Sequence, residues 1–206
     1  VAPGFTKTHG HPPVTRGDVR KAMYADPYWQ MWSALKRGNQ EMSYAARSHV
    51  LAHEFDALEE RASGANGPGK STMRLDPNLG VPSYVTAVDL HCMPGGYNAD
   101  DGDGLYAGAM YDTASLYLAT GGEFGKWNDA AGWSMVNWIT TQFPGLRPKR
   151  ILDLGCTVGH STLPLAQHFA PAEVHAIDVC APLLRFGKVR ADSLGVGVQF
   201  SQQNAE

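Results

Sequence analysis

Short apolar runs alternate with amphipathic segments in the last part of the chain. The runs Ile151–Leu154, Glu173–Asp178 and Val196–Phe200 have the length and the flanking turn residues of strands. The intervening stretches 160–169 and 182–194 have the apolar spacing of helices. Alternating strands and helices are typical of a parallel sheet with right-handed crossovers. The pattern therefore predicts an α/β fold class with the partial order β-α-β-α-β.

Helical spacing dominates the sequence before this alternation. Apolar residues recur at short helical steps over residues 16–62, and helices are also predicted over 105–119 and 133–143. Pro27 and Gly38 are expected to break the first of these segments. The sequence thus predicts a mainly helical N-terminal region ahead of the sheet.

Three stretches of this N-terminal region have other patterns. Residues 1–15 contain several Pro and Gly residues without periodicity, which predicts a loosely held arm. Residues 63–82 are dense in the same two residue types and predict a loop. Tyr84–Cys92 alternates enough between apolar and polar positions to predict a strand.

Composition and charge exclude several partners. The 17 Lys and Arg residues are outnumbered by 20 Asp and Glu residues, so the chain offers no net positive field to a nucleic acid. No apolar run approaches the roughly 18 residues that span a bilayer, and the first residues lack a signal-peptide pattern. We therefore expect no nucleic-acid or membrane partner and a cytoplasmic location. Cys92, Cys156 and Cys180 form no Cys-x-x-Cys pair and are expected to be buried thiols.

Glycine and acidic residues gather where the predicted strands end. Asp153, Gly155 and Gly159 surround the turn from the first strand into a helix, whose backbone N–H groups face any ligand there. Asp178 ends the second strand, a position from which a carboxylate can accept hydrogen bonds from both hydroxyls of a ribose. Because ligands of open parallel sheets lie beyond the carboxyl ends of the strands, we expect an adenosine-containing ligand. The alternative for Asp178 is a capping role at the following helix.

Three segments, Ile151–Cys156 with Gly159, Val174–Asp178 and Gln203–Glu206, resemble the first three motifs of class I S-adenosylmethionine-dependent methyltransferases. The resemblance implies S-adenosylmethionine as cofactor and methyl transfer to a small-molecule substrate in the intact parent protein. It also implies that the acid of the first motif, Asp153, orients the methionine part of the cofactor, and that the glycine loop lies under the methionine and the ribose. The acid of the second motif, Asp178, would bind the ribose, and the third motif would contact the adenine. The cofactor-binding residues it implies are Asp153, Gly155, Cys156, Gly159, Asp178, Val179, Asn204 and Ala205.

The same resemblance implies two domains, a mainly helical region or lid over residues 1–149 and a partial, S-adenosylmethionine-binding Rossmann-like domain over residues 150–206. The stretch His91–Tyr97 resembles an N-terminal element of one subgroup of these enzymes. Because the family places N-terminal elements over the pocket, His91, Tyr97 and Tyr111 are the candidates for the substrate side. The alternative for each is a structural role, and the catalytic residue is not identified by the sequence.

Two departures from the family pattern accompany the resemblance. Thr157 occupies the position where the commonest form of the loop has glycine. Its side chain is expected to reduce the space between the loop and the cofactor. The chain also ends at Glu206 after the third of the seven strands of a full family core. We therefore expect an incomplete or cleaved form that is not a competent enzyme alone. The strand Ile151–Leu154 would then be an unpaired edge, and we expect it to pair in a homodimer or with the protein's own C-terminal fragment.

Three other motifs favour structural interpretations, and no metal site is expected. Gly64–Ser71 fits the P-loop pattern but follows a helical segment instead of a strand, so it predicts a flexible surface loop. His49 and His53 have a spacing that could chelate zinc, but a solvated helix face is favoured. The acidic cluster lacks calcium ligands at the first and twelfth loop positions and indicates an acidic turn. Its members are Asp100, Asp101 and Asp103.

Two alternative functions stay open. A fragment of an NAD(P)-binding oxidoreductase is one, because a βαβ unit with a strand-end acid also binds that cofactor. The spacing G-x-x-x-G in place of G-x-G-x-x-G counts against it. The other is a non-catalytic module that binds the cofactor or a partner without chemistry.

Overall fold

The structure is a computed structural model that describes residues 2–65, 70–99, 104–120 and 129–205. The chain divides into two compact units, Val1–Ser43 and Tyr44–Glu206. The predicted sheet and both candidate strand-end acids lie in the second unit. Across the described ranges, no helix is both long and apolar enough to cross a membrane.

The first unit contains helices α1 (Ala2–His9), α2 (Arg16–Tyr24) and the beginning of α3 (Pro27–Ala65). Helix α1 contradicts the loosely held arm, since proline in a first helical turn, as at Pro3, costs no hydrogen bond. A capping box starts α2, in which Thr15 and Asp18 exchange backbone-to-side-chain hydrogen bonds. The break at Pro27 is confirmed.

The break at Gly38 is wrong, because α3 continues through it. A single glycine inside a helix costs about 1 kcal/mol relative to alanine, which a long helix tolerates.

Short elements occupy the stretch between α3 and the central helices. Strand β1 (Thr72–Arg74) lies in the predicted loop, and helix α4 (Ser83–Thr86) is followed by a 3₁₀ turn at Leu90–Cys92. The predicted strand over Tyr84–Cys92 is therefore wrong. Its last two residues have positive φ values of 52° and 58°, which no strand accommodates.

Helices α5 (Tyr106–Thr120) and α6 (Ala130–Gln142) confirm the two central helices that the apolar spacing predicted. Helix α5 packs against the second helix of the sheet domain, and α6 packs against its first helix. The helical region therefore contacts the same elements that carry the candidate site.

The predicted alternation is confirmed in the last part of the chain. It comprises β2 (Arg150–Leu154), α7 (Thr162–His168), β3 (Glu173–Asp178), α8 (Ala181–Ser193) and β4 (Gln199–Gln202). All pairs are parallel, and the sheet order is β1-β4-β3-β2. The α/β, Rossmann-like fold class is thereby confirmed, with β1 as a fourth strand that the sequence pattern missed. The domain boundary after residue 149 stays a prediction.

The core lies between this sheet and its helices. Leu163 of α7, Leu184 of α8 and Phe200 of β4 are fully buried in one cluster. Strand β2, in contrast, lies at the edge of the described sheet, and Leu152 and Leu154 are 60% and 57% exposed. One face of the sheet is therefore packed, while β2 presents apolar side chains and a backbone edge that no other described strand pairs with.

Candidate functional site

A tight turn follows β2 and reaches back over the end of β3. Gly155 and Gly159 have φ values of 76° and 88°, in the left-handed region that glycine occupies without steric cost. The backbone N–H groups of Gly155 and Cys156 both donate to the carbonyl of Ile177, at 2.9 and 3.0 Å. We call residues 155–160 the glycine turn. It places the start of α7 at the carboxyl ends of two parallel strands, where ligands of such sheets lie.

Thr157 is the unusual residue of the glycine turn, because its φ of 50° is also left-handed. A residue with a side chain pays roughly 1 to 2 kcal/mol for this conformation. Its N–H donates to Asp178 Oδ2 at 2.9 Å, and the carbonyl of the next residue, Val158, accepts from Arg190 Nη1 at 2.9 Å. Side-chain hydrogen bonds on both sides of Thr157 therefore hold the turn in a conformation that its own sequence disfavours.

Asp178 lies at the centre of the site and is only 8% exposed. Its Oδ2 accepts from Thr157 as described, and its Oδ1 accepts the N–H of Cys180 at 2.9 Å. The carboxylate thus connects the glycine turn to the start of α8. The bond to Cys180 is the helix-capping contact that the sequence offered as the alternative role of Asp178. An ionised carboxylate offers about four acceptor positions, so two backbone bonds leave capacity for ligand hydroxyls.

Asp153 faces the beginning of α7. Its Oδ2 accepts hydrogen bonds from Ser161 Oγ at 2.8 Å and from Thr162 Oγ1 at 2.6 Å. A carboxylate beside a helix N-terminus is stabilised by the helix dipole. Ser161 and Thr162 were not predicted as site residues, although two hydroxyls directly after a glycine turn are typical of a helix start.

The two cysteines of the site differ from ordinary thiols in their acidity. Burial raises the pKa of Cys156 far above its usual value, and burial with the nearby charge of Asp178 raises the pKa of Cys180 to about 12. Both thiols are therefore protonated at neutral pH. Cys156 packs into the core cluster, and its Sγ donates to the carbonyl of Thr157 at 3.8 Å.

The end of strand β4 also borders the site and is hydrogen bonded to the end of β3. Gln202 donates from Nε2 to the carbonyl of Val179 at 3.1 Å, and Gln203 N–H donates to the carbonyl of Asp178 at 3.0 Å. The predicted Asn204 and Ala205 come directly after this anchored strand end. Gln202, which the sequence reasoning missed, thus fixes the chain that leads to them.

The three substrate-side candidates form a continuous series of ring contacts. His91 Nδ1 is hydrogen bonded to the hydroxyl of Tyr97, and the rings of Tyr97 and Tyr111 meet edge to face at 5.0 Å. Tyr111 in turn stacks on His160, with 5.8 Å between ring centroids and 20° between the planes. Burial raises the pKa of Tyr97, so its phenol is a neutral group at physiological pH. The structure therefore brings His91, Tyr97 and Tyr111 together and ends the series at the glycine turn.

His160 is a residue that the sequence reasoning missed. Its Nε2 lies 2.7 Å from Asp112 Oδ1 on α5. Asp112 is also 3.5 Å from Arg190 Nε, and Arg190 Nη2 donates to Asp129 Oδ1 at 2.8 Å. The only local signal for His160 was its place directly after Gly159, because its partners come from distant parts of the sequence.

The other sequence motifs lie outside this site. The P-loop match begins inside the last turn of helix α3, which ends at Ala65, and strand β1 follows Ser71, the reverse of the order a P-loop needs. Its Ser71 hydroxyl donates to the carbonyl of Val196 at 2.8 Å, which is a structural contact. Residues 66–69 of that motif and the acidic cluster of 100–103 lie outside the described residues.

No metal-binding group is found within the described ranges. His49 and His53 lie ring against ring on α3 at 4.8 Å. No cluster of three or more metal-ligating side chains forms among the residues that the structure describes.

Comparison with known proteins finds one family model that matches part of the chain. Residues 151–206 match the family model described as a methyltransferase domain. A search of curated proteins by sequence finds no match.

Solved structures with some similarity to this chain are methyltransferases. Magnesium protoporphyrin IX methyltransferase from Synechocystis, crystallised with bound S-adenosylmethionine, is 21% identical with a TM-score of 0.32, over 52% of this chain and 57% of that chain. Coclaurine N-methyltransferase, bound to N-methylheliamine and S-adenosylhomocysteine, is 13% identical with a TM-score of 0.39, over 89% of this chain and 48% of that chain. The match thus spans about half the length of each of these two enzymes.

Proposed function

We propose that the chain binds S-adenosylmethionine at the carboxyl ends of β2, β3 and β4, because residues 151–206 match the methyltransferase-domain family model and carry the three motifs that resemble class I S-adenosylmethionine-dependent methyltransferases. This site would serve methyl transfer to a small-molecule substrate. The observation that carries the proposal is the glycine turn, which is fastened to the strand-end carboxylate of Asp178 within the segment that matches the family.

The residues present fit such a ligand. In the described part of the chain, no atom outside the immediate neighbours of Gly155 lies within 4 Å of the position that a Cβ would take there, so a ligand can approach the backbone. Asp178 offers acceptors for ribose hydroxyls, and Asp153 offers a carboxylate for the methionine ammonium. Val179, Asn204 and Ala205 would meet the adenine, and Cys156 and Gly159 would contribute backbone beneath the methionine.

When bound, the cofactor supplies a methyl group on a positively charged sulfur. The contribution of this chain is positioning, because holding reactants in attack geometry can supply a large part of the acceleration. His91, Tyr97 and Tyr111 would face the substrate from the helical region. Tyr97 would act there as a neutral hydrogen-bonding group and not as a base, since burial raises its pKa.

Calorimetry with S-adenosylhomocysteine tests the proposal, and an analogue without the two ribose hydroxyls isolates the contact to Asp178. We expect the wild-type chain to prefer the parent ligand by about 1 to 3 kcal/mol, the scale of charge-assisted hydrogen bonds. Asp178→Ala should remove this preference, even though it also loosens the glycine turn and weakens both ligands.

The alternatives correspond to other results of the same titration. Binding of NADH without S-adenosylhomocysteine would establish the oxidoreductase alternative. Binding of S-adenosylhomocysteine that Asp178→Ala leaves equally selective for the ribose hydroxyls would refute the role of Asp178. Absence of any nucleotide binding would leave the non-catalytic partner module.

The exposed edge of β2 belongs to the same proposal. An apolar strand with an unpaired edge is a template for another strand. We infer that β2 pairs with a strand from a second copy of the chain or from a C-terminal fragment of the same protein. Light scattering with intact mass should show a dimer or a second polypeptide, and Leu152→Lys should weaken the association. A stable wild-type monomer of 22.2 kDa without a second polypeptide would refute the pairing.

We also propose a cytoplasmic location for this chain. None of the three cysteines is in a disulfide, which agrees with a reducing compartment.

A further inference from the structure

Four ionisable side chains from different elements meet beside the glycine turn. Asp112 comes from α5, Asp129 directly precedes α6, His160 belongs to the glycine turn and Arg190 comes from α8. The side chains of Arg190 and Asp129 are only 9% and 3% exposed. We call these four residues the bracing cluster.

Arg190 is the centre of the bracing cluster. Its guanidinium contacts Asp129 Oδ1 at 2.8 Å and Asp112 Oδ1 at 3.5 Å, and it donates to the carbonyl of Val158 at 2.9 Å. A buried guanidinium is stable only when its charge and its donors have such partners. Burial raises the pKa of Asp129, and the charge of Arg190 opposes that shift. The charges therefore depend on one another, and removing one leaves another buried without its partner.

Two of the bonds in this cluster end on the glycine turn. Arg190 holds the Val158 carbonyl, and Asp112 holds the His160 ring at 2.7 Å. Thr157, between Asp178 on one side and Val158 on the other, has the left-handed backbone that a side chain disfavours. Strained backbone of this kind persists only where the surroundings over-determine it. The cluster supplies such over-determination through Arg190 of α8 and Asp112 of α5, in addition to the bond from Thr157 to Asp178.

We propose that the bracing cluster is a positioning device that keeps the glycine turn in its ligand-binding shape and so links cofactor affinity to helices α5 and α6. The ligand part of this inference rests on the proposed function. Asp112, Asp129, His160 and Arg190 are positioning residues, because they act on the ligand through the backbone of the turn.

Hydrogen exchange without ligand tests the bracing directly. The N–H groups of Gly155, Cys156, Thr157 and Gly159 are all hydrogen bonded in the turn, so their exchange reports its opening. We expect Arg190→Met and His160→Ala to speed exchange over residues 155–160 by about tenfold, the scale of one lost charge-assisted bond. Exchange in β3 should not change.

Matched substitutions outside the cluster serve as controls. Arg147→Met removes an exposed arginine that bonds only nearby carbonyls, and His168→Ala removes an exposed histidine at the end of α7. Neither should change exchange in the turn. If Arg190→Met fails to fold, Asp112→Asn and His160→Ala test the same bonds with milder changes.

Calorimetry with S-adenosylhomocysteine then tests the link to ligand binding. We expect each variant to bind about tenfold more weakly. The Asp112→Asn, His160→Ala double variant should lose less affinity than the two single losses combined, because the two residues share one bond. Unchanged exchange in the turn would overturn the bracing whatever the ligand does. Faster exchange with wild-type affinity would overturn the positioning role. Absence of binding by the wild-type chain would refute the proposed function and, with it, the ligand part of the inference.

Discussion

Gly132 on α6 provides a sharp test of how the helical region meets the glycine turn. A Cβ at this position would lie 2.2 Å from the backbone carbonyl oxygen of His160 and 2.8 Å from Pro164 Cγ. The first of these atoms belongs to the main chain and cannot rotate away. Gly132→Ala therefore forces α6 away from the turn or distorts the turn itself.

The expected magnitude follows from two opposing effects. Alanine is favoured over glycine inside a helix by about 1 kcal/mol. Overpacking a buried contact costs roughly 1 to 3 kcal/mol, and occasionally more. Because a 2.2 Å approach is far inside van der Waals contact, we expect the steric cost to win and the free energy of unfolding to fall by about 2 kcal/mol. The melting temperature of a chain of this size should fall by roughly 4 to 8 °C.

Gly38 on α3 is the matched control, because among the described residues no atom beyond its chain neighbours and the adjacent helix backbone lies within 4 Å of its Cβ position. There the helix propensity acts alone, and Gly38→Ala should stabilise the chain by about 1 kcal/mol. Urea and thermal unfolding followed by circular dichroism measure both variants. If Gly132→Ala were as stable as the wild-type chain, the close contact of α6 with the His160 carbonyl would be refuted.

Three further substitutions or labels test other parts of the structure. Phe200→Ala empties a position that is 1% exposed and should cost about 3 to 5 kcal/mol in urea unfolding, whereas a cost below 1 kcal/mol would contradict its place in the core. Burial raises the pKa values of Cys156 and Cys180. A thiol reagent at pH 8 should therefore label only Cys92 rapidly in the native state, and all three thiols after unfolding. Rapid labelling of more than one thiol in the native state would contradict the burial of these two cysteines. Thr157→Gly should stabilise the turn by roughly 0.5 to 1 kcal/mol, because relief of the left-handed strain exceeds the entropy that glycine adds to the unfolded state. A loss of stability would show that the contacts of the Thr157 side chain stabilise the fold by more than the strained backbone costs.

The sheet domain could be predicted from the sequence because its signals are local. Each strand of the alternation is a short apolar run bounded by glycine or a polar residue, and each helix has its own apolar spacing. The structure places β2, β3 and α8 within about two residues of the predicted bounds. Only the start of the third strand moved further, from residue 196 to Gln199, where pairing with β3 begins.

The parts that the sequence reasoning missed depend on tertiary contacts. Strand β1 is only three residues long and all three are exposed, so it has no alternation to detect and is defined by its pairing with β4. The predicted strand over 84–92 had a suitable alternation but is interrupted by positive φ values at His91 and Cys92. The bracing cluster brings Asp112, His160 and Arg190 together across three elements, and no local pattern could have revealed it.

The pairing of β1 with β4 has a consequence for how the chain folds during synthesis. Ser71 and Val198, which are hydrogen bonded at this junction, are 127 residues apart. Contacts over such separations require loop closure before they give any stabilisation, and they slow folding. The stretch around β1 leaves the ribosome early, yet its sheet partner becomes available only after α8 has been made. The nascent chain must therefore keep this stretch open through most of its synthesis, and β1 is expected to be among the last elements to gain protection from hydrogen exchange.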